Sequence, residues 1–206
     1  MNVLLINGSP HPNGCTFTAL SEVAGQLSAQ GIETTFLQVG AKPVHDCIAC
    51  YGCMKTGHCV FDDDPANQCI DLLKKADGVV VGSPVYYAGP TGALTALLDR
   101  VFFLKESAYA GKPAAAVVSC RRGGASAAFD RLNKYFTIAN MPVVPSQYWN
   151  SVHGMNPDEV RQDKEGMQVM RTLGRNMAWL LKSIEAGKGT VPLPAGEEPV
   201  MTNFIR

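Results

Sequence analysis

The chain is 206 residues long, which suits one α/β domain and is enough to bury a full hydrophobic core. Lys plus Arg and Asp plus Glu both number 18, so the formal net charge is zero, which indicates neither a nucleic-acid-binding surface nor an acidic carrier. The sequence has no secretion signal and no apolar run of about 18 residues, so we expect a cytoplasmic protein that does not bind a membrane and whose thiols stay reduced.

The predicted elements of the first half alternate between strands and helices. The apolar run 3–6 predicts a buried first strand, and apolar residues at helical spacing then predict a helix that ends near Gly31. Residues 34–37 predict a second strand, which a Cys-rich segment and a short helix over 65–76 follow. The β-branched run 78–82 is interpreted as the central strand.

The second half continues the same alternation. A helix is predicted to begin at Pro90, a fourth strand to span 114–119 and a further helix to span 126–139. A fifth strand is predicted to begin at Val143 and to extend toward Tyr148.

The last predicted helix begins at Asn156, which has the position of a cap, with a proline in the first turn. Its buried face is expected to consist of Met170, Leu173, Met177, Leu180 and Ile184. Strands that alternate with helices through right-handed crossovers give an open parallel α/β sheet with helices on both faces. We expect one domain over residues 1–186, with the Cys-rich loop 46–60 inserted after the second strand, and a tail rich in Pro and Gly over 187–206.

Ligands of such sheets bind beyond the carboxyl ends of the strands, so the loops after the first, third and fourth strands are candidates. The first loop, 8–18, offers the hydroxyls of Ser9, Thr16 and Thr18 together with the N–H groups of a helix start, which suits a phosphate. It lacks both the Walker pattern and the dinucleotide glycine fingerprint, so a mononucleotide fits better. A simple turn with a helix cap is the alternative.

The other two loops have features suited to a flat, charged ligand. The second loop carries Tyr86 and Tyr87, of which at least one can face a ring system, and Gly89 permits close approach of the backbone. The third loop combines glycines with Arg121, which suits phosphate or carboxylate groups. The alternatives are tyrosines that cover the core or an oligomer interface, and an arginine that is ordinary surface charge.

The most specific feature is a run of four cysteines, Cys47, Cys50, Cys53 and Cys59. Two consecutive spacings of two residues let three thiolates converge on one cluster, as in bacterial ferredoxins, and the fourth closes the site. Among bound metals we therefore rank a [4Fe–4S] cluster first and a zinc ion second, and unliganded or redox-reactive thiols are the alternative to both, weighted above zinc.

Four segments together carry a family resemblance: 8–10, the cysteine run, 76–86 and 97–100. Combined, they resemble the NADPH-dependent FMN reductase branch of the flavodoxin-like superfamily, and the cysteine spacing is similar to that of its iron–sulfur flavoproteins. The resemblance implies a flavodoxin-like sandwich with sheet order 2-1-3-4-5, bound FMN, and a homodimer or homotetramer. It also implies FMN-binding residues in the three loops, namely Ser9, His11, Cys15, Thr16, Phe17, Thr18, Pro84, Val85, Tyr86, Tyr87, Ala88, Gly89, Ser119, Arg121, Gly123 and Gly124.

The chain departs from this family at two positions of the first loop. Members often carry Arg where His11 stands and Asn where Cys15 stands, so a permanent charge and an amide are missing here. The expected function is an FMN-dependent oxidoreductase, either an NAD(P)H:flavin or quinone reductase or an iron–sulfur flavoprotein that passes electrons to a small oxidant. We expect no catalytic side chain, and a small-molecule or protein electron donor and acceptor. The rival hypotheses are a non-enzymatic electron carrier and a scaffold with a structural zinc loop.

Overall fold

The computed structural model describes residues 1–104, 107–198 and 200–202. Its strands are β1 (Asn2–Asn7), β2 (Glu33–Gln38), β3 (Gly78–Pro84), β4 (Ala114–Cys120) and β5 (Ser151–His153). Its α-helices are α1 (Cys15–Ala29), α2 (Cys53–Thr56), α3 (Ala66–Lys75), α4 (Gly92–Phe103), α5 (Ala125–Ile138), α6 (Pro157–Gln162) and α7 (Lys164–Gly187), and a short 3-10 helix spans Ser107–Tyr109.

The described strands form one parallel sheet in the order β2-β1-β3-β4-β5. The predicted fold class and strand order are therefore confirmed. In β1, Val3 and Leu5 face a layer of α1, α6 and α7, whereas Leu4 and Ile6 face a layer of α3, α4 and α5. Because both faces of the central strands are covered, these strands appear in the sequence as unbroken apolar runs.

The fifth strand lies later in the chain than predicted. Val144 donates a backbone hydrogen bond of 2.8 Å to Ala114, but the next residue is a proline, which has no N–H, and the chain leaves the sheet before Tyr148. The buried side chain of Asn150 spans this gap by donating a 3.0 Å hydrogen bond to the carbonyl of Ala116. The predicted extension toward Tyr148 is therefore wrong, and regular pairing resumes only at β5.

The single last helix of the prediction is two helices. Asn156 caps α6 as expected, by accepting a 3.0 Å hydrogen bond from the N–H of Glu159, but Asp163 interrupts the helix and caps α7 in the same way. Met170, Leu173 and Met177 are buried as predicted, whereas Leu180 is only half-buried and Ile184 is exposed; Leu181 takes the inward position instead.

None of the described helices is both long enough and apolar enough to cross a lipid bilayer.

Candidate functional site

One cleft lies at the carboxyl edge of the sheet, where β1, β3, β4 and β5 end. It has a volume of about 370 Å³, within the range typical of cofactor sites. Its lining residues are Ser9, His11, Gly14, Cys15, Thr16, Pro84, Val85, Tyr86, Ser119, Cys120, Arg121, Gly154, Met155, Asn156 and Pro157. The three loops that the sequence singles out thus contribute to the same cleft.

The first loop gives the cleft a site suited to an anion. Helix α1 begins at Cys15, and Gly14 before it provides no capping side chain. The N–H groups of a helix's first turn have no partner inside the helix, and the helix dipole adds positive potential there. With the hydroxyls of Ser9 and Thr16 beside them, these groups form a site that fits a phosphate.

Close contact with the central strand fixes the path of this loop. The N–H of Gly8 donates a 2.8 Å hydrogen bond to the carbonyl of Gly82 in β3, and Thr91 Oγ1 donates one of 2.8 Å to the carbonyl of Gly8. A Cβ at Gly8 would lie 2.9 Å from the carbonyl oxygen of Gly82, so only glycine allows this approach.

The base of the cleft is a buried pair of hydroxyls. Thr16 Oγ1 and Ser119 Oγ lie 2.8 Å apart, which joins α1 to the end of β4. Beside them, the Cys15 thiol donates a 3.7 Å hydrogen bond to the carbonyl of Gly154. Burial raises the pKa of the Cys15 thiol, so it stays neutral at neutral pH and adds no negative charge next to the anion site.

The second loop is a tight turn that presses against the third. Tyr86 and Gly89 exchange two backbone hydrogen bonds of 2.9 Å, with Tyr87 and Ala88 both at positive φ between them. A Cβ at Gly124 would lie 2.9 Å from the Cα of Ala88, so the glycine lets the two loops interlock. This packing places Tyr86 on the cleft wall and leaves Tyr87 fully exposed.

Some of the predicted ligand residues do not line the cleft. Phe17 packs against Phe36 with ring centroids 5.2 Å apart, and Thr18 Oγ1 donates a 3.1 Å hydrogen bond to the carbonyl of Gly14. The complete set outside the lining is Phe17, Thr18, Tyr87, Ala88, Gly89, Gly123 and Gly124.

The sequence analysis missed the fourth wall of the cleft, residues 154–157. This segment follows β5, and the N–H of Gly154 donates a 3.1 Å hydrogen bond to the carbonyl of Cys120. The rule that ligands bind after strands would have identified it had the fifth strand been placed correctly.

The four clustered cysteines line a second, smaller cavity. Burial raises the pKa of the Cys53 thiol, and the nearby sulfurs of Cys59, Cys47 and Cys50 raise it further. The loop between them turns sharply at Ala49 and Tyr51, whose φ angles are 52° and 58°. Apolar side chains complete the wall of this cavity: Ile48, Tyr51, Val60, Phe61 and Phe103.

The spacing of the sulfurs is wider than a single zinc ion requires. Zn–S bonds of about 2.3 Å in a tetrahedron would place the sulfurs about 3.8 Å apart. Among the described residues, no three cysteine sulfurs lie within 4.8 Å of one another; the set of three ligand-type side chains that meets this distance is His45, Asp63 and Asp64. What the structure does show is four cysteines on one cavity, which is the donor set that an iron–sulfur cluster takes.

A buried arginine borders the cysteine cavity. Arg100 of α4 forms an ion pair with Asp64, and the side chains of both are 1% exposed. Burial by itself would raise the pKa of the Asp64 carboxyl, but hydrogen bonds from Arg100 and from the backbone N–H groups of Ala66 and His45 hold it below its usual value. The carboxylate therefore stays charged at neutral pH and keeps the guanidinium paired.

Comparison with known sequences identifies the family. Residues 1–156 match the family described as NADPH-dependent FMN reductase. The chain belongs to this family of flavin oxidoreductases. An iron–sulfur flavoprotein of Methanocaldococcus jannaschii is 32% identical over 195 residues, with 90% of this chain and all of that protein covered. A second iron–sulfur flavoprotein of the same organism is 30% identical over 190 residues, covering 85% and 94% of the two chains.

Solved structures agree on the fold of this family member. The structure of RosB with bound 8-demethyl-8-formylriboflavin-5'-phosphate matches with a TM-score of 0.75, covering the whole of this chain and 94% of that one. Sequence identity is 16%, so this similarity bears on the fold alone.

Proposed function

We propose that the protein is an FMN-dependent oxidoreductase that holds FMN in the cleft at the carboxyl edge of the sheet. The observation that carries the proposal is the convergence of three candidate loops, from distant parts of the sequence, on one cleft that contains the uncapped start of α1. Membership in the FMN reductase family supports FMN over other phosphate-bearing ligands.

In this proposal the FMN phosphate binds to Ser9, Thr16 and the first-turn N–H groups of α1, with His11 at the rim. The flavin ring lies against Val85 and Tyr86. Arg121 is the arginine among the lining residues, and it is suited to negative charge on the ring edge.

We further propose that Cys47, Cys50, Cys53 and Cys59 bind a [4Fe–4S] cluster. The two consecutive spacings of two residues in the cysteine run and the iron–sulfur flavoprotein relatives support this choice over zinc. Bound FMN would supply hydride and single-electron transfer, and the cluster would supply single-electron transfer only. The chain's own residues bind and orient these groups, and apolar side chains surround the cysteines.

The electron donor is proposed to be NADPH or NADH, and the acceptor a small oxidant. Anaerobic rapid mixing of the flavin-loaded protein with each nicotinamide tests this directly. We expect the absorbance of the oxidised flavin to disappear on mixing with at least one of them. Reduction by chemical reductants but by neither nicotinamide would instead identify an electron carrier.

A charge variant tests the position of the phosphate. His11 is exposed on the cleft wall, so His11→Asp adds a negative charge there without disturbing the core. We expect its FMN dissociation constant to rise about tenfold, since about 1.4 kcal/mol of repulsion corresponds to that factor. Asn13→Asp, in the same loop but outside the cleft lining, is the matched control. Equal FMN affinities of the two variants in fluorescence titrations would refute the placement.

A further inference from the structure

Arg100 is not among the candidate ligands of either cavity, yet it is one of the largest fully buried side chains of the described protein. Burying a guanidinium is costly unless it is paired and its N–H groups find acceptors. The contacts of Arg100 therefore indicate what its position in the core is for.

The guanidinium contacts both ends of the cysteine-rich segment. Nη1 donates to the Asp64 carboxylate and, over 3.2 Å, to the carbonyl of His45, and Nη2 donates over 3.0 Å to the carbonyl of Phe61. The rings of His45 and Phe61 stack with centroids 4.3 Å apart, and the guanidinium carbon lies 5.5 Å from the centroid of Phe61. Since His45 precedes Cys47 and Phe61 follows Cys59, Arg100 holds the segment closed.

The Nε–H group of Arg100 points at a cysteine. It lies 3.1 Å from Cys59 Sγ, in hydrogen-bonding geometry. Within the described chain, Cys59 is the member of the four whose sulfur accepts a hydrogen bond from a cationic side chain. Its backbone is fixed as well, since its N–H donates over 2.7 Å to Asn67 Oδ1 and its carbonyl accepts over 3.0 Å from Asn67 Nδ2.

We infer that Arg100 is a positioning residue that presents Cys59 as the pre-ordered ligand of the cluster and raises the cluster's reduction potential through the Nε–H···Sγ hydrogen bond. The inference rests on the proposed cluster. Adding one electron makes the cluster and its thiolates more negative, and a donor at the sulfur together with a buried positive charge stabilises that reduced state most.

The test is a redox titration of the cluster in the anaerobic holoprotein, followed by electron paramagnetic resonance, with dithionite supplying the single electron. Arg100→Lys keeps a positive charge for Asp64 but loses the planar fork that reaches Asp64 and Cys59 together. We expect its cluster midpoint potential to fall by about 59 mV, which is a tenfold change in the one-electron equilibrium constant. The midpoint of the flavin in the same sample should not move.

Two further variants separate this role from a purely structural one. Arg131→Lys is the matched control. Arg131 lies on α5 and pairs with Asp99, the residue before Arg100, but it does not line the cysteine cavity. This change should leave the cluster potential unchanged. Asp64→Asn keeps the bond to Cys59 and removes a neighbouring negative charge, so it should shift the potential upward, opposite to Arg100→Lys. If Arg100 and Asp64 only held the segment together, Arg100→Lys and Asp64→Asn would both lose iron, and their cluster potentials would not shift in opposite directions.

An unchanged potential in Arg100→Lys at full iron content would overturn the inference, as would a downward shift in Asp64→Asn. If Arg100→Lys does not fold, the direction in which Asp64→Asn shifts the cluster potential decides whether the inference stands. Absence of iron from the wild-type protein would refute the proposed cluster itself, and the inference with it.

Discussion

Single residues determine how closely the loops of the cleft approach the sheet. Gly8 allows the first loop to lie against β3, and Gly82 allows α1 to pack closely on the same strand. Gly124 allows the third loop to lie against Ala88 of the second. These glycines are required for space or for positive φ, whereas Gly25 in the middle of α1 has nothing within 4 Å of its Cβ position.

Gly8→Ala is predicted to destabilise the protein by about 1–3 kcal/mol, since its methyl group would clash with the carbonyl of Gly82 and force the first loop outward. The affinity for FMN should fall as well, because the displaced loop lines the cleft. Gly25→Ala is the control, and it should stabilise the protein by up to about 1 kcal/mol because alanine favours a helix. Urea unfolding and FMN titration measure both effects; a Gly8→Ala protein as stable and as tightly bound to FMN as the wild type would contradict the close approach.

The seven cysteines occupy different environments, which predicts different reactivity. Burial raises the pKa of the Cys69 thiol to about 12, from an ordinary value of 9.0. At pH 9 the Cys69 thiolate is therefore scarce in the folded protein, and the side chain is inaccessible. Mass spectrometry after iodoacetamide treatment at pH 9 should show Cys69 unmodified in folded protein and modified in urea. Rapid labelling of Cys69 in the folded state would contradict its placement in the core.

At the scale of elements, the interrupted edge of the sheet depends on Asn150. Its side chain donates to the carbonyl of Ala116, on the side of β4 that faces β5, before the pairing with β5 begins. Asn150→Ala would leave that buried carbonyl unpaired, at a cost of about 1–3 kcal/mol. The cleft wall at 154–157 follows β5, which begins directly after Asn150, so FMN affinity should weaken too.

Gln147→Ala, in the exposed part of the same connection, is the control and should change stability by less than about 0.5 kcal/mol. Chemical denaturation followed by circular dichroism compares the variants. Equal stabilities of Asn150→Ala and Gln147→Ala would show that the side chain does not support the sheet edge.

Elements with a strong local signal were predictable from the sequence, and those fixed by distant contacts were not. β1 and β3 are apolar runs that end at turn residues, and the cap at Asn156 has its own local pattern, so all three were found. The position of β5 depends on its pairing with β4 and on the side chain of Asn150, which takes the place of a backbone hydrogen bond. Neither contact leaves a periodic pattern in the sequence. Arg100 belongs to the motif 97–100, but its sequence position does not reveal its contacts; only the fold shows it buried between Asp64 and Cys59.

At the scale of the whole molecule, the Arg100–Asp64 pair connects the cysteine segment to the α/β body. Removing one partner of a buried pair typically costs about 3–5 kcal/mol. The lowered pKa of Asp64 gives this contribution a defined pH dependence. Because the folded state binds the Asp64 proton more weakly than the unfolded chain, the stabilisation is present above the ordinary value of 3.8 and is lost as the pH falls through the folded-state pKa.

We therefore predict that iron-free wild-type protein is more stable than iron-free Asp64→Asn by a margin that is largest near pH 7 and shrinks below about pH 4. Urea unfolding across this range measures the margin. A margin that stays constant down to pH 3 would mean that Asp64 is not held ionised by its partners.

The central claim is that one chain carries two redox sites, FMN at the carboxyl edge of the sheet and a [4Fe–4S] cluster at Cys47, Cys50, Cys53 and Cys59. The most direct measurement is the flavin, iron, acid-labile sulfide and zinc content of protein purified without oxygen. The account predicts about one FMN, about four iron and about four sulfide per chain, with zinc absent. Stoichiometric zinc without sulfide would contradict the cluster, and the absence of flavin even after incubation with FMN would contradict the cleft.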